Sequence, residues 1–336
     1  MKNRLVTLVK VSVTFTILYL IFRRFEIGFS DIVESFGHRP GWFLASFVMQ
    51  VGAIIFSIMR WNVLLKGQDL EVPFVHIVKT FLVGRFLGTF TPTGVGLEAY
   101  KAYDIARYTG RTEAAVSVVI IEKMIGTFFS LSLLVLLTLP FFTGVIDTRF
   151  LYVFGAFFGV LLLAALVLLF SPGLFTRLLA FNFPLKAKVE GPLTKMVAAF
   201  TIYSKRRSSL LAAIVFGLGM YLFWFLTYYT NSIALGAGLA LGDILKAGPM
   251  TQIATMIPLS IAGIGLREGA FMGLLDGLGV VSGATTTARS AMILSATMVY
   301  FVSISVNVFG AAIFLTRRTD YEEQIEEMRK AQPGKA

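Results

Sequence analysis

Long apolar stretches separated by short polar segments dominate the pattern along the chain. The first runs from Leu5 to Phe22, which is near the lower limit of length for a helix that crosses a bilayer. Basic residues precede it, as in a secretory signal peptide, but Arg23 and Glu26 follow in place of a small-residue cleavage site. We therefore predict six transmembrane helices, at about 5–22, 41–64, 114–142, 148–170, 208–235 and 286–316.

Two further stretches, 74–108 and 243–281, are apolar but are interrupted by Pro, Gly and charged residues. Each contains two half-length segments, joined at Pro92–Gly96 in the first and at Pro258–Gly265 in the second. Segments of about 10–14 apolar residues are too short to cross alone, and a broken backbone is tolerated only inside protein or beside a water-filled cavity. The sequence therefore predicts two re-entrant helical hairpins in an all-α polytopic membrane protein.

The basic residues test the orientation of these helices. With the amino terminus in the cytoplasm and each hairpin returning to its own side, 22 of the 30 Lys and Arg residues are cytoplasmic. Seven are outside, and Lys123 lies within a span. This bias follows the positive-inside rule, so we expect a multi-pass protein of the cell membrane with both termini in the cytoplasm. The charged tail at 317–336 is then cytoplasmic.

The two interrupted stretches resemble each other. Pro92–Tyr100 and Pro258–Phe271 share Gly-x-Gly-Leu, followed by an acidic, a small and an aromatic residue. Upstream, Ile77-Val-Lys79 matches Ile244-Leu-Lys246. In the predicted topology the two units enter the membrane from opposite sides, which makes an inverted-topology repeat of the kind found in secondary transporters. Chance similarity between glycine-rich membrane segments is the alternative. The repeat units are 41–142 and 208–316, each a span, a hairpin and a span.

The span at 148–170 and a loop at 173–207 link the two units. In the loop, apolar residues after Pro192 recur at helical spacing, and basic residues lie off that face. We predict an amphipathic helix on the anionic cytoplasmic leaflet, with a connector packed on the helix bundle as the alternative. The apolar face comprises Leu193, Met196, Val197, Phe200 and Tyr203.

Composition agrees with the membrane assignment. Hydrophobic residues make up 56% of the chain and charged residues 15%, which argues against a soluble enzyme, a nucleic-acid-binding protein or a disordered chain. The net charge of +11 arises from basic residues between apolar runs, which topology explains. There is no cysteine, and the two histidines lie far apart in sequence. We expect no cofactor, no metal and no enzymatic activity.

The two hairpins carry the candidate binding chemistry. A Gly-x-Gly sequence that opens a half-helix directs backbone N–H groups and the positive helix end toward an anion, typically phosphate. The alternative is that the glycines allow close packing and the carboxylates cap the helices. The predicted substrate-binding residues are Arg85, Gly94, Gly96, Glu98 and Lys101 in the first hairpin, and Gly263, Gly265, Arg267 and Glu268 in the second.

Two more candidates, Glu122 and Lys123, lie inside a span, where an ionisable residue is expected to have a function. Adjacent helical residues point in different directions, so we do not expect them to pair with each other. We predict that Glu122 reaches Arg85 or Lys101 across the bundle. A purely structural ion pair is the alternative.

These motifs, together with Arg60-Trp61, resemble the lysylphosphatidylglycerol synthase transmembrane-region family, which includes the flippase part of the multiple peptide resistance factors. The similarity covers about residues 5–316. The resemblance implies movement of an anionic or aminoacylated lipid between leaflets. The full-length synthases also carry a soluble aminoacyltransferase domain. This chain ends about twenty residues after its last span, so lipid synthesis is not part of the expectation.

The expected function is that of a lipid flippase or transporter. Its partners would be membrane lipids and a substrate that is an anionic phospholipid or a lipid-linked phosphate, such as an aminoacylated or polyprenyl lipid, with no nucleic acid. The rivals are a transporter of a small soluble anion and a non-transporting subunit of a lipid-modifying system. The sequence leaves open the energy source, the direction of transport and the oligomeric state, a homodimer included.

Overall fold

The computed structural model describes residues 39–89, 95–174, 200–257 and 263–331, with isolated residues elsewhere and with side chains of the last helix up to residue 316. The all-α prediction is confirmed in these ranges, where the backbone is helical apart from short turns and one isolated bridge. The helices are α1 (Trp42–Gly67), α2 (Phe74–Thr89), α3 (Val95–Thr109), α4 (Thr112–Phe142), α5 (Thr148–Phe170), α6 (Arg207–Ala234), α7 (Leu241–Met256), α8 (Leu266–Gly277) and α9 (Thr286–Ala331).

Within the described ranges, five helices are long and apolar enough to cross a membrane, namely α1, α4, α5, α6 and residues Thr286–Thr316 of α9. They match five of the six predicted spans, and their ends lie close to the predicted ends. The predicted helix at 5–22 lies outside the described residues. Only 22% of the apolar window of α5 is buried in the protein, as expected for a helix that faces lipid.

Helix α4 is less regular than the sequence predicts. Its middle, Met124–Leu131, is a π-helix, and its last turn, Leu139–Phe142, is a 3₁₀-helix. The hydroxyl of Tyr221 on α6 donates a hydrogen bond of 3.2 Å to the carbonyl of Gly126 within the π-helix. π-Helical turns are rare and occur frequently at functional sites. Hydrophobic periodicity alone could not reveal this change in winding.

The two interrupted stretches form two pairs of short helices. Helices α2 and α3 pack on each other with a break between them, and so do α7 and α8. The four helices have 16, 15, 16 and 12 residues. At a rise of 1.5 Å per residue the longest is about 24 Å, shorter than the hydrocarbon core of about 30 Å. The helix–break–helix pattern is therefore present at both predicted places, while re-entry into the bilayer stays a prediction.

The long helices α1 and α6 pack in an antiparallel and reciprocal manner. The ring of Phe223 on α6 lies against Gly52 on α1, and the ring of Phe56 on α1 lies against Gly219 on α6. The two rings also contact each other, with centroids 5.1 Å apart. Gly52 and Gly219 are 167 positions apart in the sequence, and so are Phe56 and Phe223. The same offset separates Ile77-Val-Lys79 from Ile244-Leu-Lys246.

The contacts between helices show the same exchange. Helix α2 packs on α9, and its counterpart α7 packs on the Ser132–Thr138 part of α4. Helix α1 also contacts α9, and its counterpart α6 contacts the π-helical part of α4. Each broken pair thus packs on both long helices: α2 and α8 contact α9, and α3 and α7 contact α4.

The described end of the loop at 173–207 packs on protein. Phe200 and Tyr203 are fully buried, and the Tyr203 hydroxyl donates a hydrogen bond to the carbonyl of Leu64 at the end of α1. Burial raises the pKa of Tyr203 above its ordinary value. At Phe200 and Tyr203 the protein covers the predicted apolar face, as the connector alternative expects. Residues 175–199 lie outside the described ranges.

Candidate functional site

At the start of α3 the chain itself supplies the hydrogen-bond acceptor for Gly96. The N–H of Gly96 donates a hydrogen bond of 2.8 Å to the side-chain oxygen of Thr91. A Cβ on Gly96 would lie 2.8 Å from that oxygen and 3.0 Å from the carbonyl of Leu87, so only glycine fits. In this conformation the N–H of Gly96 therefore already has a partner. The neighbouring candidate Gly94 lies outside the described residues.

At the start of α8 the chain also supplies the hydrogen-bond acceptor, here for Gly265. Gly263 and Gly265 have φ angles of 76° and 87°, which favour glycine. The N–H of Gly265 donates a hydrogen bond of 2.6 Å to Oε2 of Glu268, and the hydroxyl of Thr297 on α9 donates one of 3.0 Å to Oε1. Glu268 is fully buried and caps its own helix. Glu268 therefore fits the alternative prediction that the carboxylates cap the helices, and both of its oxygens accept hydrogen bonds.

A buried ion-pair cluster lies between α1, α3 and α4 and comprises Arg60, Lys101 and Glu122. Arg60 donates a hydrogen bond of 3.2 Å from Nη2 to one oxygen of Glu122, and Lys101 donates one to the other oxygen. The predicted contact of Glu122 with Lys101 is present. The alternative contact with Arg85 is wrong, because Arg85 points toward α9.

Arg60 lies deeper in its helix than the sequence predicts. The predicted span at 41–64 puts it about one turn from the end, but α1 continues to Gly67, so Arg60 lies about two turns inside the helix. Its side chain occupies space beside Gly126 and Gly217, where a Cβ would lie 2.9 Å and 3.6 Å from Nη1. The sequence did hold a signal for this ion pair, since Arg60 and Glu122 are a basic and an acidic residue in two separate apolar spans.

Two partly exposed groups, Glu98 and Lys123, border the cluster. Glu98 lies 3.5 Å from Nζ of Lys101 through one oxygen and 4.0 Å from Nζ of Lys123 through the other. The local Glu98–Lys101 pairing predicted from the i, i+3 spacing is therefore present. Glu122 and Lys123 have different partners, as the geometry of adjacent helical residues requires. Lys101 also lies over the ring of Trp61, at 4.8 Å from its centroid.

Both broken pairs contact a polar face on α9. Arg85 of α2 donates hydrogen bonds to Ser303 (2.7 Å) and to Asn307 (3.0 Å) on this helix. Arg267 of α8 is buried, with its guanidinium 5.8 Å from the centroid of the Tyr300 ring. The prediction of a span at 286–316 did not identify this face. Helical spacing could have revealed it, since it comprises Thr297, Tyr300, Ser303 and Asn307.

The other polar contacts lie nearer the helix ends. His76 of α2 and Asp104 of α3 form a contact of 2.8 Å. Among the residues that the structure describes, His, Asp and Glu side chains form no group of three that could hold a metal ion. Beyond the end of α1, Arg206 binds Asp69 through two hydrogen bonds of 2.7 Å.

Comparison with known proteins agrees with the motifs and with the helices. The sequence profile described as the lysylphosphatidylglycerol synthase transmembrane region matches residues 7–305. A UPF0104 membrane protein of Pyrococcus horikoshii is 22% identical over 261 residues, which cover 70% of this chain and 77% of that protein. No solved structure gives a significant match. The family match includes both broken pairs and reaches all five apolar helices. This chain is a multi-pass membrane protein that belongs to the lysylphosphatidylglycerol synthase transmembrane-region family.

Proposed function

We propose that the protein moves a phosphate-bearing lipid between the leaflets of the cell membrane. The headgroup crosses a polar layer beside the two helix breaks, and the acyl or prenyl tails stay in lipid. The substrate class includes aminoacylated phosphatidylglycerol, other anionic phospholipids and polyprenyl phosphates. The proposal assigns transport and no covalent chemistry to the chain.

Helix lengths support a site near the middle of the bilayer. Glu98 lies about three turns before the end of α3, and Lys123 lies about three turns after the start of α4. Arg267 lies nearly as far before the end of α8. Each distance corresponds to about 15–16 Å along a helix, half of a hydrocarbon core of about 30 Å. The short helices can return to their own side from this depth, in keeping with re-entrant hairpins.

The reciprocal packing of α1 and α6 supports an inverted repeat. An antiparallel pair that exchanges Phe56 with Phe223 and Gly52 with Gly219 has a local two-fold axis perpendicular to both helices. If both helices cross the membrane, this axis lies in the membrane plane. Transporters with that symmetry alternate the access to one site near the midplane. The positive-inside bias supports a cytoplasmic location of both termini.

The charge of the polar layer favours an anionic substrate. Among the described residues near the two breaks, five are basic and three are acidic, which leaves a formal surplus of two positive charges. A charge in the membrane interior costs about 2.5–3.5 kcal/mol or more unless it is paired or hydrated. The layer comprises Arg60, Arg85, Lys101, Lys123 and Arg267 with Glu98, Glu122 and Glu268.

The arrangement of Arg85 is the observation that carries this proposal. Its guanidinium is partly buried, and within the described part of the chain its side-chain hydrogen bonds go to the neutral groups of Ser303 and Asn307. No carboxylate among the described residues forms an ion pair with it. A cation held by neutral hydrogen-bond acceptors keeps its charge available for a phosphate.

Lipid translocation by the purified full-length protein tests the proposal. Proteoliposomes with a fluorescent phosphatidylglycerol in both leaflets are treated with a membrane-impermeant quencher, and the rate of the slow quenching phase is measured. We expect wild-type protein to accelerate it. Arg85→Gln should slow it about tenfold, because a charged hydrogen bond to phosphate is lost.

The matched control is Arg149→Gln. Arg149 is an exposed arginine at the start of α5, and its replacement should leave the rate unchanged. Equal rates for Arg85→Gln and wild type would contradict the proposal. Uptake of soluble phosphate without lipid movement would favour the anion-transporter alternative. No transport of either would favour a non-transporting subunit.

A further inference from the structure

We propose that Glu98 is a displaceable internal anion. In this structure its carboxylate lies between Lys101 and Lys123, and a headgroup phosphate takes this place when the lipid enters. This inference rests on the proposed function and adds a competing, specificity-determining residue to the polar layer defined above. It makes Glu98 an inhibitory contact, since the phosphate must remove the carboxylate before it can bind.

The two carboxylates near Lys101 are held very differently. Glu122 is buried, with a side-chain exposure of 4%, and receives hydrogen bonds from Arg60 and Lys101. Glu98 has a side-chain exposure of 27%, and its contacts with Lys101 and Lys123 are 3.5 Å and 4.0 Å. These long contacts to a partly exposed carboxylate are the weaker ones. Glu98 is therefore the carboxylate that a competing anion can replace.

Comparison with Glu268 in the second unit also indicates that Glu98 can be displaced. Glu268 follows Gly-Ile-Gly-Leu-Arg in the sequence much as Glu98 follows Gly-Val-Gly-Leu. Glu268 is tied to the N–H of Gly265 and to the hydroxyl of Thr297, so its removal would uncap α8. The corresponding N–H of Gly96 is bonded to Thr91 instead, which leaves Glu98 without a capping role there. Glu98 can move without uncapping its helix.

The cations beside Glu98 are suited to a phosphate. Lys123 has a side-chain exposure of 49%, although it lies about 16 Å along α4 from the start of that helix. A half-exposed ammonium at this depth must face a hydrated crevice, because hydrocarbon would not solvate it. Lys101 is fully buried behind it and is already bound to Glu122. A phosphate between the two lysines would keep the charge balance that Glu98 now provides.

Binding of a short-chain phosphatidylglycerol to the full-length protein in detergent tests the inference. The dissociation constants of wild type, Glu98→Gln and Glu71→Gln are compared by titration. Glu98→Gln should bind about threefold more tightly, since the competing ion pair is gone. Glu71→Gln is the matched control, because Glu71 is exposed before α2, and its affinity should be unchanged. A merely structural role of Glu98 would not produce tighter binding.

A second variant covers the case in which Glu98→Gln folds poorly. Glu98→Asp keeps the charge but withdraws it from the lysines, and its affinity should lie between those of wild type and Glu98→Gln. If wild type binds the lipid and neither variant binds more tightly, the inference is wrong while the proposed function stands. If Glu98→Gln weakens only an aminoacylated lipid, Glu98 binds an amine and the inference is also wrong. Absence of binding to wild type overturns both proposals.

Discussion

Gly52 lies so close to the ring of Phe223 that a Cβ on this glycine would approach Cε1 of the ring to 2.7 Å. The equivalent contact joins Gly219 on α6 to Phe56 on α1. Gly219 lies 167 positions after Gly52, and Phe56 lies 167 positions before Phe223. The antiparallel pair of α1 and α6 is therefore built from two copies of one interaction. The two glycines let the helices approach closely.

Replacement of either glycine by alanine should destabilise the protein. A methyl group at Gly52 or Gly219 collides with an aromatic ring of the facing helix, and overpacking of this kind costs about 1–3 kcal/mol. Gly159→Ala is the control, because Gly159 lies in α5, where an added methyl group would meet no atom within 4 Å. It should be neutral or slightly stabilising. Thermal unfolding in detergent provides the comparison, and equal melting temperatures for all variants would contradict the close packing.

Loss of Glu122 should be more damaging than loss of an exposed acid. Glu122→Gln leaves Arg60 buried without a charged partner among the described residues, and it leaves Lys101 with only the longer contact to Glu98, which is expected to cost about 3–5 kcal/mol. Adding Lys101→Met removes one of these charges and should restore part of the stability. Glu71→Gln should change stability by less than about 0.5 kcal/mol. A double variant no more stable than Glu122→Gln would argue against the ion-pair cluster.

Single cysteines can test the inverted repeat, since the chain has no native cysteine. Thr112 and Ser282 are exposed and lie just after the first and the second broken pair. Thr112→Cys and Ser282→Cys should react with an impermeant maleimide from opposite sides of the membrane. Labelling is measured in cells and in inverted vesicles. Reaction of both variants from the same side would rule out the inverted arrangement.

The contact between Asp69 and Arg206 should make stability depend on pH. The hydrogen bond from Arg206 lowers the pKa of the Asp69 carboxyl below its ordinary value of 3.8. A lowered pKa in the folded state stabilises the protein above the ordinary pKa, and this contribution is lost as the pH falls through the folded-state pKa. The melting temperature of wild type should therefore fall more than that of Asp69→Asn between about pH 5 and about pH 3. This range extends about one unit to either side of the ordinary pKa. The difference should be small, because the pair is exposed.

The salt dependence of the same difference provides a check. Asparagine tolerates the left-handed backbone at this position, where Asp69 has a φ of 53°, so the substitution should not strain the turn. The difference between the two proteins should shrink at high ionic strength. Identical pH profiles at low salt would show that the ion pair contributes nothing to stability.

The positions of the helices and of their breaks were predictable because they depend on local properties of the chain. An apolar run long enough to cross a bilayer forms a helix whatever it later contacts, which is why α5 matches its prediction from residue 148 to residue 170. The interruptions near Pro92 and Pro258 marked the two broken pairs for the same reason. The Glu98–Lys101 contact followed from spacing within one helix.

The partners of the buried charges were decided by the tertiary structure. Glu122 meets Arg60 from 62 residues away, and Arg85 meets Ser303 from 218 residues away. Two similar motifs also gave different results, since Glu268 caps its helix while Glu98 pairs with two lysines. No local pattern specifies such contacts, because each charge bonds to whichever polar group the packing of distant helices places within about 3–4 Å.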